Sequence, residues 1–124
     1  MKQRKVVVLM NDLLFKTKIQ DVLKRGGFEA IWCSSAEDAI GQIEKENASL
    51  LILDLGLRNV DTLGVIEKVK RNRDPNTVPV LAYTSHVDRE KWKSAVAAGA
   101  DKVVARSEFS SNLPNLVATY ASLS

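Results

Sequence analysis

The chain has one cysteine, Cys33, and one histidine, His86, in 124 residues. A lone cysteine cannot close an internal disulfide, so nothing asks for an oxidising compartment. With no second histidine or cysteine nearby, His86 reads as a surface-loop residue rather than a metal ligand, and Cys33 reads as inert. Three prolines and six glycines are too few for internal linkers or low-complexity stretches. No run approaches the ~20 apolar residues that cross a bilayer, so membrane insertion is not expected. The N-terminal MKQRKVVVLMND is basic and then apolar, as in a secretory signal, but Asn11 and Asp12 end the run and no small-residue cleavage site follows. It reads as a first strand. Neither sign of charge dominates: 18 basic residues against 15 acidic leave a net charge of +3. The loose basic clusters at Lys2, Arg4 and Lys5 and at Lys68, Lys70, Arg71 and Arg73 are too weak to mark a nucleic-acid surface. A cytoplasmic protein with no direct nucleic-acid contact is the expectation.

What is present is the balance of a globular protein, 45% hydrophobic and 27% charged. A chain of this length buries roughly two-thirds of its unfolded surface, enough for one self-folding domain over residues 1–124. Five short apolar, β-branched runs recur, at 5–10 (KVVVLM), 28–32 (FEAIW), 50–53 (LLIL), 78–83 (VPVLAY) and 102–105 (KVVA). The central runs lack polar alternation, the pattern of parallel strands covered on both faces.

Segments with helical spacing lie between them. The first sets Leu14, Ile19, Val22 and Leu23 on one side and ends at Arg25, before Gly26-Gly27. The second opens at Ser34-Ser35, with Glu37 and Asp38 three residues beyond the two serines as in a capping box, and turns Ala36, Ala39, Ile40 and Ile43 inward. The third runs over about 62–70 with Leu63, Ile66 and Val69 inward and breaks before Pro75. The fourth covers about 88–98 with Trp92, Ala95 and Val96 inward and stops at Gly99. The fifth starts near Ser110 or Ser111, holds Pro114 in its first turn, and buries Leu116, Val117 and Tyr120. Strict βα alternation with short connections predicts an α/β fold, a doubly wound five-stranded parallel sheet with helices on both faces.

In such a sheet, ligands bind beyond the carboxyl ends of the strands. Asn11-Asp12, Asp54, Thr84-Ser85 and Arg106 stand at the ends of strands 1, 3, 4 and 5. Two carboxylates, hydroxyls and a cation therefore converge on one edge. Asp12 and Asp54 would repel each other there unless a proton or cation separates them, and a hard divalent ion such as Mg2+ resolves the conflict. A carboxylate is also a nucleophile toward phosphorus, and phosphoryl transfer needs a metal, a hydroxyl and a cation around the acceptor.

In the order VVVLMND, LLILDL, LAYTS and AAGADKVVAR, the sequence resembles the response-regulator receiver family over nearly the whole chain. The resemblance implies a flavodoxin-like strand order 2-1-3-4-5 and a phosphoacceptor at Asp54, charged by a sensor histidine kinase or phosphotransfer protein. It implies Mg2+ as cofactor, held by Asn11, Asp12 and Asp54 with the Leu55 or Gly56 carbonyl. A switch hydroxyl falls on Thr84 and a phosphate-contacting cation on Arg106. Such a domain is a phosphoryl-accepting signalling module rather than an enzyme, with at most slow self-phosphorylation from small donors and self-dephosphorylation. Its output is altered protein docking on the helix 4/strand 5/helix 5 face, and a homodimer is left open.

The sequence departs from the family's pattern at several places. Asn11 stands where a first acid is usual, and Arg106-Ser107-Glu108-Phe109 where lysine, proline and an aromatic are usual. Arginine is a planar fork rather than a compact ammonium. The aromatic switch residue of strand 5 falls on Val103, and the usual proline and glycine after the acceptor fall on Arg58 and Thr62.

Simpler roles compete for each residue. Asp12 suits an N-cap, Asp54 a turn before Gly56, Thr84 or Ser85 a cap of helix 4 completed by Asp88, and Arg106 a solvated cation or a partner of Asp54. Trp92 packs with Ala95 and Val96 or, if outward, anchors a partner. The competing function is a degenerate receiver that binds protein without phosphorylation. A flavin-binding protein is disfavoured because Asn11-Asp12-Leu13-Leu14 offers no hydroxyl- and glycine-rich phosphate loop.

Overall fold

Alternation along the strands sends successive side chains to opposite faces, and both faces of this sheet are covered. The computed structural model describes residues 4–71, 78–85 and 88–122. Lys2, Arg73, Pro75 and His86, which the sequence reading uses, lie outside the described residues. The elements alternate as β1 (Arg4–Leu9), α1 (Leu13–Arg25), β2 (Phe28–Cys33), α2 (Ala36–Glu46), β3 (Leu50–Asp54), α3 (Thr62–Arg71), β4 (Val80–Thr84), α4 (Arg89–Ala98), β5 (Lys102–Ala105) and α5 (Arg106–Ala121). All strand pairs are parallel, as the βα alternation predicts, and the order is β2-β1-β3-β4-β5, as the family resemblance implies.

One core half lies under α1 and α5, where Val6, Val8, Leu50, Ile52, Leu81, Tyr83 and Val104 meet Ile19, Leu23, Phe109 and Val117. The other lies under α2, α3 and α4, where Val7, Leu9, Leu51, Leu53, Val80, Ala82 and Val103 meet Ala39, Val65, Ile66 and Ala95. The two halves account for the uninterrupted apolar runs of β3 and β4, every residue of which is buried. Strand order reverses between β1 and β3, so the carboxyl ends of those strands form the crevice.

Asp12 caps α1 and Ser35 caps α2, the latter accepting from the Asp38 N–H at 3.1 Å. Gly99 closes α4 at φ +115°, a left-handed conformation where an added Cβ would also meet the Lys70 Cγ at 3.1 Å. Close by, Asp101 accepts from the Val80 N–H at 2.7 Å and pairs with the Lys70 ammonium at 2.5 Å, tying α3 to the starts of β4 and β5.

Some helix details differ from the sequence reading. Leu14 is 86% exposed rather than inward, and Phe15 takes its place beside Ile19, Val22 and Leu23, because spacings of four, three and one define a stripe that Leu14 misses. Val96 is 54% exposed for the same reason, while Trp92 and Ala95 pack inward. Helix α4 is capped by Asp88, which accepts from the Lys91 N–H at 3.2 Å, and not by Thr84 or Ser85. Helix α5 begins at Arg106 rather than near Ser110, drawn in by Phe109, whose ring stacks on Tyr83 with centroids 4.2 Å apart. It bends at Asn112 (φ −120°, ψ 17°), which places Pro114 just after the bend, where a missing N–H is tolerated.

Candidate functional site

Asp54 is the last residue of β3 and is 9% exposed. Leaving a carboxylate there is costly unless it is hydrogen-bonded, and Asp54 Oδ1 accepts from the Gly56 N–H at 2.8 Å. The approach is close because Gly56 has no side chain: a Cβ would lie 3.2 Å from that oxygen. Burial pushes the Asp54 carboxyl above the usual carboxylate range, while the Gly56 N–H and the Lys91 ammonium pull the other way. Thr84 ends the adjacent strand β4, buried, next to Tyr83, which lies opposite Asp54 in the β3–β4 register.

Asp12 is engaged on both oxygens. Its Oδ1 accepts from the Leu14 N–H at 3.0 Å and the Phe15 N–H at 3.4 Å, and its Oδ2 is bonded by Nη2 of Arg106. The Arg106 guanidinium also lies over the Phe15 ring, 4.4 Å from its centroid. Arg106 is therefore neither a free solvated cation nor the partner of Asp54; its partner is Asp12. Neither the sequence spacing nor the charge pattern signals this pairing.

Among the described residues, two clefts lie along the edge. One, of about 400 Å³, is lined by Asn11, Ser34, Asp54, Gly56 and Arg58 among others. The second, of about 380 Å³, is lined by Phe15, Ser85, Arg106, Ser107 and Ser110. Asn11, Asp54 and Gly56 thus meet in one cleft and Arg106 lines the other. Arg58 also lines the first cleft, and the sequence signals it only in that it stands where the resembled family has proline.

No three histidine, cysteine or acidic side chains gather into a metal cluster among the described residues. The oxygens of Asn11, Asp54 and Gly56 around one cleft nevertheless fit a hard ion that keeps several waters and takes one or two carboxylates. Asp12 does not line that cleft and is bonded to Arg106.

The sequence model of the response regulator receiver domain family matches residues 6–118. Among curated relatives, the response regulator protein FleR of Pseudomonas aeruginosa is 30% identical over 94% of this chain and 24% of its own length. The transcriptional regulatory protein CrdR of Helicobacter pylori is 26% identical over 79% of this chain and 46% of its own. The chain spans less than half the length of the curated relatives it matches. A crystal structure of a response regulator signal receiver domain from Bermanella marisrubri superimposes with a TM-score of 0.82, covering 96% of this chain and 98% of that one at 24% identity.

Proposed function

We propose that this chain, which belongs to the response regulator receiver domain family, accepts a phosphoryl group on Asp54 from a histidine kinase or phosphotransfer protein. The observation that carries this reading is the state of Asp54: a buried carboxylate at the mouth of a cleft that accepts from the Gly56 N–H and, among the described residues, forms no ion pair. A carboxylate in that state keeps a lone pair for attack. An Asp54 oxygen bonds to phosphorus as the P–N bond of a phosphohistidine or the P–O bond of an acyl phosphate breaks, and the electron pair leaves on the imidazole or carboxylate of the donor. Thr84, at the end of the adjacent strand, offers its hydroxyl to a phosphoryl oxygen. A Mg2+ ion, when bound by Asn11, Asp54 and the Gly56 carbonyl, would neutralise charge on the transferring group. The reaction is stoichiometric acceptance rather than turnover, with slow self-phosphorylation from small donors and slow self-dephosphorylation as side activities.

The added charge of about −1.5 to −2 biases the ends of β4 and β5 and the starts of α4 and α5, and a partner reads the change on the α4–β5–α5 face. Val103 offers no ring to report it. The aromatic group of this fold lies on the other face, where Phe15, Tyr83 and Phe109 pack together beneath the guanidinium of Arg106. The exposed Leu13 and Leu14, at the start of α1, give an incoming donor protein an apolar foothold beside the cleft. No helix among the described residues is long and apolar enough to cross a membrane, and a cytoplasmic setting suits exchange with a kinase.

The test is intact mass after incubation with acetyl phosphate and Mg2+, with the fluorescence of Trp32 and Trp92 followed in parallel. Gain of one phosphoryl group by the native protein and none by Asp54→Asn is the expected result. No gain from saturating donor, nor from a phosphorylated histidine kinase, would reject the reading.

A further inference from the structure

Among the described residues, the Tyr83 hydroxyl is the one buried side-chain polar group with no hydrogen-bond partner. Tyr83 is 0% exposed, and its ring is wedged between Phe109, stacked with centroids 4.2 Å apart, and Phe15, edge-on at 5.8 Å. Neither ring carries an acceptor. A hydroxyl left in that state costs the fold the full desolvation of a donor, and a phenylalanine would fill the same space without that cost.

Strand geometry sets this residue beside the acceptor. Leu50 and Ile52 of β3 and Leu81 and Tyr83 of β4 all enter the core half beneath α1 and α5. Side chains alternate along a strand, so Asp54, two residues beyond Ile52, leaves the sheet on that same face. The β3–β4 register pairs Asp54 directly with Tyr83, and neighbouring strands lie about 4.8 Å apart. Carboxylate and tyrosine are therefore lateral neighbours, yet the hydroxyl is not bonded to the carboxylate, whose Oδ1 accepts from the Gly56 N–H. A phosphoryl group lengthens the acceptor side chain and brings three strong acceptor oxygens to that neighbourhood.

We propose that the Tyr83 hydroxyl donates a hydrogen bond to a phosphoryl oxygen on Asp54, so that a donor left unpaired in the free protein is satisfied in the phosphorylated one. The assignment rests on the reading of Asp54 as the acceptor. It ties the phosphoryl group to a ring stack whose other members, Phe15 and Phe109, stand in the first turns of α1 and α5.

The test is calorimetric titration with beryllofluoride and Mg2+, the phosphoryl mimic, on the native protein, on Tyr83→Phe, which keeps the ring, and on Tyr120→Phe, a partly buried tyrosine of α5 packed on the same core half. Tyr83→Phe should bind the mimic about tenfold more weakly, the loss expected for a hydrogen bond to a charged acceptor. Without the mimic, its thermal midpoint should stand a few degrees above native, because the unpaired donor is gone. Tyr120→Phe should bind within about twofold of native. A purely structural role would move the midpoint and leave the affinity alone, so Tyr83→Phe with native affinity overturns the assignment and leaves the acceptor reading standing. A midpoint that falls in the free variant does the same, since the hydroxyl would then be bonded before any phosphoryl group arrives. Native protein that takes up no beryllofluoride overturns the acceptor reading and this assignment with it.

Discussion

Asp12 and Asp54 lie at the ends of neighbouring strands on one edge of the sheet, and they are held in opposite ways. Asp12 accepts from two backbone N–H groups and binds the Arg106 guanidinium, so its charge is spent on holding α1 and the β5–α5 junction together. Asp54 is more deeply buried, accepts from the Gly56 N–H, and is pushed toward its neutral form by desolvation. A carboxylate saturated with donors is a poor nucleophile and a good structural tie. A carboxylate kept short of donors is the reverse. The edge therefore separates a structural acid from a reactive one, although the sequence shows only two aspartates after two apolar runs.

The sharpest way to break this comparison is to remove each acid and measure both reactivity and stability. Asp54→Asn should abolish phosphoryl uptake outright in intact mass, whereas Asp12→Asn should still accept the group. The order should invert for stability. Asp12→Ala loses a helix cap and an ion pair and should cost about 1–2 kcal/mol by urea denaturation, while Asp54→Asn replaces a poorly compensated buried charge and should match or exceed native stability. Equal stability losses at the two positions would show that Asp54 is as fully tied into the fold as Asp12.

Much of this arrangement was legible in the sequence. The parallel sheet followed from the apolar runs of β3 and β4, which only burial on both faces explains, and Asn11, Asp54 and Gly56 do share a cleft as residues at strand ends should. The pairing of Arg106 with Asp12 was not legible, since it depends on how closely the β5–α5 junction approaches the start of α1, 94 residues away in the chain. Nor was the start of α5. Ser110 and Ser111 look like caps, whereas Arg106 follows Ala105, which offers no capping side chain; the contact of Phe109 with Tyr83 decides the matter, and no local signal carries a tertiary contact. The exposed Leu14 and Val96 mislead for a related reason, because an apolar residue one step off the buried stripe reads like part of it.

A smaller change acts on the acceptor without touching its charge. Gly56→Ala sets a methyl group 3.2 Å from Asp54 Oδ1, closer than most side chains stand, and shifts either the loop or the carboxylate. Phosphorylation by acetyl phosphate should slow about tenfold, since sub-ångström displacement of a reacting group carries losses of that order. The chemical denaturation midpoint should barely move, because Gly56 is exposed. A rate equal to native would mean that the Gly56 N–H, and not its missing side chain, is all that the acceptor requires.

Cys33, at the end of β2, extends the comparison to a third acid on the same edge, and there the expected effect is smallest. Its thiol is buried in the core half beneath α2, α3 and α4, and burial together with the nearby Asp38 carboxylate pushes it up to about 12. As at Asp54, desolvation disfavours the ionised form, but Cys33 lies in a packed core instead of a cleft, so the same cause should produce inertness rather than reactivity. At pH 8 the folded protein holds very little thiolate. Labelling by iodoacetamide should therefore be slow in the folded protein and should rise to the rate of an ordinary thiol in urea. Because the folded-state value is raised, ionisation of Cys33 favours unfolding at any pH above the ordinary thiol range, so Cys33→Ala should lessen the loss of stability between pH 9 and 11 relative to native. Fast labelling of the folded protein at pH 8 would show that the end of β2 opens to solvent, and that burial separates the acids of this edge less sharply than the contrast between Asp12 and Asp54 implies.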